Sequence, residues 1–211
     1  MAQLFSHLGR KSANPRLFQS IKPQSAMMQN LLDIESRTGG DRWMKAVDDE
    51  LTRQKKTVEL REGPSKFTRY FGQPIENLKS GRPILGETAS RGGVPLTSSN
   101  VYVGTDVDPS NFSKYSNSLK GRNPYVQSLI DTMRHELGGH VAEQLVPGSP
   151  STTMLDLATG NTRAAQARET AAQALVGDVN ERGDYTQPTP RSQEVERYFG
   201  GVTPRKRDED Y

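Results

Sequence analysis

Residues 123–141 read NPYVQSLIDTMRHELGGHV, and the fold turns on how this stretch is interpreted. Asn123 followed by Pro124 is a strong helix start, a side-chain cap and then a residue whose fixed φ suits the first turn. Val126, Leu129, Ile130, Met133, Leu137 and Val141 then recur at helical intervals, so the spacing predicts a helix with one apolar face. Pro147-Gly148 is expected to end it. Within it lies His135-Glu136-Leu137-Gly138-Gly139-His140, where residues that bind metal and move protons stand close together.

Two histidines and a glutamate on one helix suit a zinc ion held by His135 and His140, with Glu136 placed to act as a general base. The common signature of this kind, H-E-x-x-H, puts the histidines four residues apart. Here they are five apart. At about 100° per residue, a pair at i,i+5 is roughly 140° out of line, against roughly 40° at i,i+4. One residue must be absorbed, which a π-type expansion of one helical turn does. Gly138-Gly139 permits it, although each glycine costs about 1 kcal/mol relative to alanine inside a helix.

The hexapeptide resembles the H-E-x-x-G-H motif of the dipeptidyl-peptidase III family, a branch of the gluzincin metallopeptidases, matching at His135, Glu136, Gly139 and His140. The resemblance implies Zn2+ as cofactor and a third ligand from a glutamate on a second helix, followed by two residues and an alanine. Glu169-Thr170-Ala171-Ala172 has that form. The resemblance covers only the active-site helices, and the chain is too short for the two lobes of that family.

The stretch from Thr162 to Val179 is rich in alanine and reads as that second helix, with Glu169 near its middle. Asp156 and Glu143 are rival third ligands. On an unbulged helix Glu136, His140 and Glu143 would share one face and form a carboxylate patch instead. Many gluzincins place an aspartate four residues after the glutamate ligand, whereas position 173 is Gln173, so Asp178 is a candidate for that role. Tyr185, in the loop after the second helix, is a candidate catalytic residue as oxyanion stabiliser. Upstream, Asn100-Val101-Tyr102-Val103-Gly104 reads as a strand that a zincin would use to hold an extended peptide by backbone pairing.

Composition bounds the rest. The chain has 211 residues, of which 32% are hydrophobic, so one small domain with irregular extensions is expected. There are no cysteines, which excludes disulfides and thiolate ligands and suits a cytoplasmic setting. No apolar run has the length of a signal peptide or membrane span. The net charge of +3 is mild and its signs interleave, giving no special support to nucleic-acid binding.

Residues 1–24 form an extended basic arm without an acidic residue, 25–185 the zincin-like domain, and 186–211 a polar charged tail. Two helical patterns over 25–62, carrying Met28, Leu31 and Leu32, then Trp43, Met44, Val47 and Leu51, are split at Gly39-Gly40-Asp41 and read as core. Residues 63–123, rich in glycine and proline, read as loops with short strands at Pro83-Ile84-Leu85 and Val101. Arg69-Tyr70-Phe71-Gly72 recurs as Arg197-Tyr198-Phe199-Gly200.

The expected fold is α+β: a small zincin-like domain with a helical core, short strands, long irregular loops and extended termini. Two functions are carried forward. One is a zinc-dependent peptidase acting on a peptide or protein. The other is a non-catalytic component of a larger assembly, such as a phage particle, which would hold the termini and loops and retain a degenerate zincin core.

Overall fold

A computed structural model describes residues 18–66, 68–72, 74, 78, 84–90, 98–104, 123–146, 160–177 and 193. The chain enters through β1 (Ile21–Pro23) and α1 (Ala26–Glu35), turns through a π-helical segment at Ser36–Gly40 into α2 (Asp41–Arg53), and continues into β2 (Thr57–Gly63). After a π-helical turn at Thr68–Gly72 come β3 (Gly86–Ser90) and β4 (Ser98–Gly104). A long helix follows, built of α3 (Pro124–Met133), a π-helical segment (Arg134–Val141) and α4 (Ala142–Leu145), and the last described helix is α5 (Thr162–Gly177).

The fold is α+β, with helices and a four-stranded mixed sheet in the order β1-β2-β4-β3. β1 and β4 each pair with β2 in parallel, while β3 pairs with β4 antiparallel. Alternation along the strands sends Val58, Leu60, Val101 and Val103 into one core. There they meet Met28, Leu31, Trp43, Met44 and Val47 from α1 and α2, and Leu129, Ile130, Met133, Leu137 and Val141 from the long helix. Burying such a side chain contributes about 1.5–3 kcal/mol, which makes this core the principal stabilising feature.

The sheet begins inside the stretch read as the basic arm, since Phe18 and Ile21 are buried. The reason is Asp48 of α2, whose carboxylate accepts the backbone N–H groups of Gln19, Ser20 and Ile21 at 2.7–2.8 Å. Residues 1–17 and, apart from Gln193, the tail from 186 lie outside the described residues. The split at Gly39-Gly40 is a kink: Gly39 has φ 99°, a left-handed value that glycine adopts without a steric penalty.

Two strand expectations need correction. The strand placed at Pro83-Ile84-Leu85 is instead Gly86–Ser90, and Leu85 uses its carbonyl to accept the Gly104 N–H at 2.7 Å. β4 covers the expected Asn100–Gly104, but it pairs on both sides, so it has no open edge for a peptide; among the described strands β3 is the edge on that side and β1 the edge on the other. No helix among the described residues is long and apolar enough to cross a membrane.

Candidate metal centre

The long helix starts as expected: Asn123 accepts the Tyr125 N–H at 2.9 Å, with Pro124 at the first turn. It ends at Leu145, because Val146, with Pro147 after it, takes an extended conformation. Over Arg134–Val141 it widens into the π-type segment that the five-residue spacing requires. Both imidazoles thereby face one point. The His135 and His140 Nε2 atoms are 3.1 Å apart, with the rings at 80° to one another.

Glu169 reaches the same point from α5. Its Oε2 lies 3.2 Å from His135 Nε2 and its Oε1 3.4 Å from His140 Nε2. Small residues make this approach feasible, for a Cβ added to Gly139 would lie 2.3 Å from the Cβ of Ala172. Arg168 fastens the same contact with an ion pair to Glu143 at 2.6 Å. Glu143, a rival third ligand, is therefore engaged elsewhere; Asp156, Asp178 and Tyr185 lie outside the described residues.

Three atoms bound at about 2.0–2.1 Å in a tetrahedral zinc site would be separated by roughly 3.3 Å. The two Nε2 atoms are 3.1 Å apart, and each faces a different Glu169 oxygen, at 3.2 and 3.4 Å, spacings close to that value. Each imidazole can donate to its own Glu169 oxygen, but the two N–H groups then stand 3.1 Å apart; a cation between the nitrogens and Glu169 would relieve that crowding.

His135, Glu136 and His140 form a group able to hold a metal ion, with ligand atoms within 4.8 Å of one another. Two carboxylates therefore compete for the third place. Glu169 has both oxygens directed at the imidazoles, whereas Glu136 is 5% exposed and its Oε2 accepts the Thr88 hydroxyl at 2.6 Å. The pairwise distances favour Glu169 because they are contacts, while 4.8 Å is only an outer bound.

Charge follows this geometry. Burial raises the Glu136 pKa, outweighing the opposing effects of His140, the Thr88 hydrogen bond and His135. Hydrogen bonds with His135 and His140 hold Glu169 well below the usual carboxylate range. Burial disfavours the charged form of His140, but its bond to Glu169 and the charges of Glu136, Glu169 and Glu143 together raise its pKa.

Beneath the site, Arg134 and Glu35 form a fully buried ion pair at 2.7 Å. Trp43 Nε1 donates to the other Glu35 oxygen at 3.2 Å, and Arg134 also meets Asp131 at 3.1 Å. Gly40 makes room for this, since its Cβ would lie 2.3 Å from Glu35 Oε1. The network ties the start of the π segment to the kink between α1 and α2.

Gln173 is exposed, and among the described residues it makes no hydrogen bond to either imidazole. His135 Nδ1 is buried without a partner there. The first Arg-Tyr-Phe-Gly copy sits in the turn at Thr68–Gly72 with Tyr70 and Phe71 exposed; the second lies outside the described residues.

Thr88, Gly86 and the Glu35–Arg134 pair escaped the sequence reading. A glycine at the start of a strand signals close backbone approach and pointed toward Gly86. No protein-family model, curated protein or solved structure matches the chain.

Proposed function

We propose that the protein is a zinc-dependent peptidase of gluzincin type, with His135, His140 and Glu169 as ligands and Glu136 as general base. The observation that carries this reading is the convergence of two imidazole nitrogens, 3.1 Å apart, on the two Glu169 oxygens at 3.2 and 3.4 Å. When bound, zinc supplies Lewis acidity, polarising a substrate carbonyl and bringing the pKa of a water toward about 7. Glu136 accepts the proton of the attacking water and returns it to the leaving amine. Its raised pKa suits both steps, because a base works best when its pKa approaches the operating pH. β3, an edge among the described strands that carries Thr88 beside Glu136, would hold an extended peptide by backbone pairing.

The substrate is accordingly a peptide or protein, and the location a cytoplasm or the interior of a large assembly. One observation favours the alternative of a non-catalytic assembly component: buried His135 Nδ1 has no acceptor among the described residues, whereas zinc ligands usually have one. Metal analysis combined with hydrolysis of unstructured peptides, before and after chelation, separates the readings. Zinc with chelator-sensitive cleavage supports the peptidase, zinc without cleavage supports the structural component, and failure to bind zinc removes the metal centre.

A further inference from the structure

Glu136 is held by two positions of β3 that point the same way, Gly86 and Thr88. Thr88 Oγ1 donates to Glu136 Oε2 at 2.6 Å. A Cβ at Gly86 would lie 2.7 Å from Glu136 Oε1 and 2.5 Å from Thr132 Cγ2, so the carboxylate occupies space that any other residue would fill. One oxygen is thus bound by a hydroxyl and the other fits a void. The strand that supplies both is firmly placed, because Thr88 stands opposite Val101, a fully buried core residue.

This arrangement bears on a choice the site must make. A ligand oxygen of Glu136 lies within 4.8 Å of ring nitrogens of His135 and His140, near enough for a change of side-chain rotamer to bring it to an ion they share. A carboxylate is drawn to a divalent cation more strongly than to a neutral hydroxyl. A base that became a ligand would no longer be available to accept a proton.

We propose that Thr88, with the space left by Gly86, is a positioning residue that keeps Glu136 off the metal, so that Glu136 stays a base and Glu169 remains the carboxylate ligand. The proposal rests on the metal-centre reading. Thr88→Val removes the donor while nearly preserving shape, and Thr88→Ser restores it.

The test reconstitutes the full chain with Co2+, whose visible absorption bands shift in position and intensity when the set of ligands changes. Wild type and Thr88→Ser are expected to give the same spectrum, and Thr88→Val a shifted one, because Glu136 then displaces water or Glu169 from the ion. Adding Glu136→Ala to Thr88→Val should restore the wild-type spectrum, because the intruding ligand is gone. Gly86→Ala, which crowds the carboxylate from its other side, should shift the spectrum independently and serves if Thr88→Val does not fold. In hydrolysis, Thr88→Val should lose at least about ten-fold in kcat with KM little changed, and Thr88→Ser should recover most of it. Co2+-loaded Thr88→Val and Gly86→Ala proteins with the wild-type spectrum would overturn the proposal while leaving the metal reading intact. A wild type that binds no Co2+ would instead remove both.

Discussion

Gly139 and Ala172 are in contact at a distance that admits no further carbon: a Cβ on Gly139 would stand 2.3 Å from the Ala172 Cβ. This is where α5 crosses the π segment, one turn from Glu169. Gly139→Ala is therefore expected to push α5 away, lower the melting temperature by an overpacking cost of about 1–3 kcal/mol, and weaken zinc binding at least about ten-fold. Titration calorimetry of both proteins checks it; unchanged affinity would mean that Glu169 is not a ligand.

The metal itself gives a second expectation. Purified chain reconstituted near neutral pH should hold close to one zinc, and His140→Ala should lose it. Because zinc binds the folded form, it should stabilise by about 2.7 kcal/mol at a free concentration 100 times Kd, an increase that a chelator reverses. Elemental analysis with thermal melts provides the measurement.

Glu136→Gln should keep the zinc and the fold while lowering peptide hydrolysis by about 10² to 10⁴-fold, since the amide removes the proton acceptor and little volume. Equal cleavage by both proteins would show that Glu136 is not the base.

The ion pair between Arg134 and Glu35 is wholly buried, so removing one partner strands the other. Arg134→Met should cost about 3–5 kcal/mol in denaturant unfolding, and replacing Glu35 by Leu as well should recover part of it. A loss no larger than that of a surface mutation would contradict the burial of the pair.

Stability of the metal-free protein should depend on pH with a definite sign. The His140 pKa is raised above 6.5, so its contribution is complete below 6.5 and is lost as pH rises through the folded value. Glu136, raised above 4.5, acts in the same direction. Glu169, depressed below 4.5, contributes above 4.5 and loses its effect as pH falls. Zinc reverses the upper trend, because imidazoles must be neutral to bind it. Melting temperatures with and without zinc should diverge as pH rises from roughly 5 to 8, the range in which histidine titrates. Parallel curves would argue against histidine ligation.

Some of this was written in local spacing. Asn123-Pro124 specified a helix start through a capping oxygen and a fixed φ, and the five-residue interval from His135 to His140 demanded a π expansion. Both depend on bonds within a few residues. β2 was missed although Val58 and Leu60 alternate, because a short strand after two helical patterns carries few periodic residues. The third strand was read three residues early at its start, since glycine and proline mark a turn more clearly than they mark where pairing begins.

By itself, then, the sequence determined the long helix, its widened turn and the residue types able to hold a metal, because each follows from neighbouring residues. Tertiary structure decided which groups meet there. Thr88 reaches Glu136 across 48 positions and Arg134 reaches Glu35 across 99. Among the described strands, the order β1-β2-β4-β3 makes β3, and not β4, the edge beside the site. Such pairings depend on how strands are ordered and how closely helices approach, and these are settled by burying one common core, a condition that no local interval encodes.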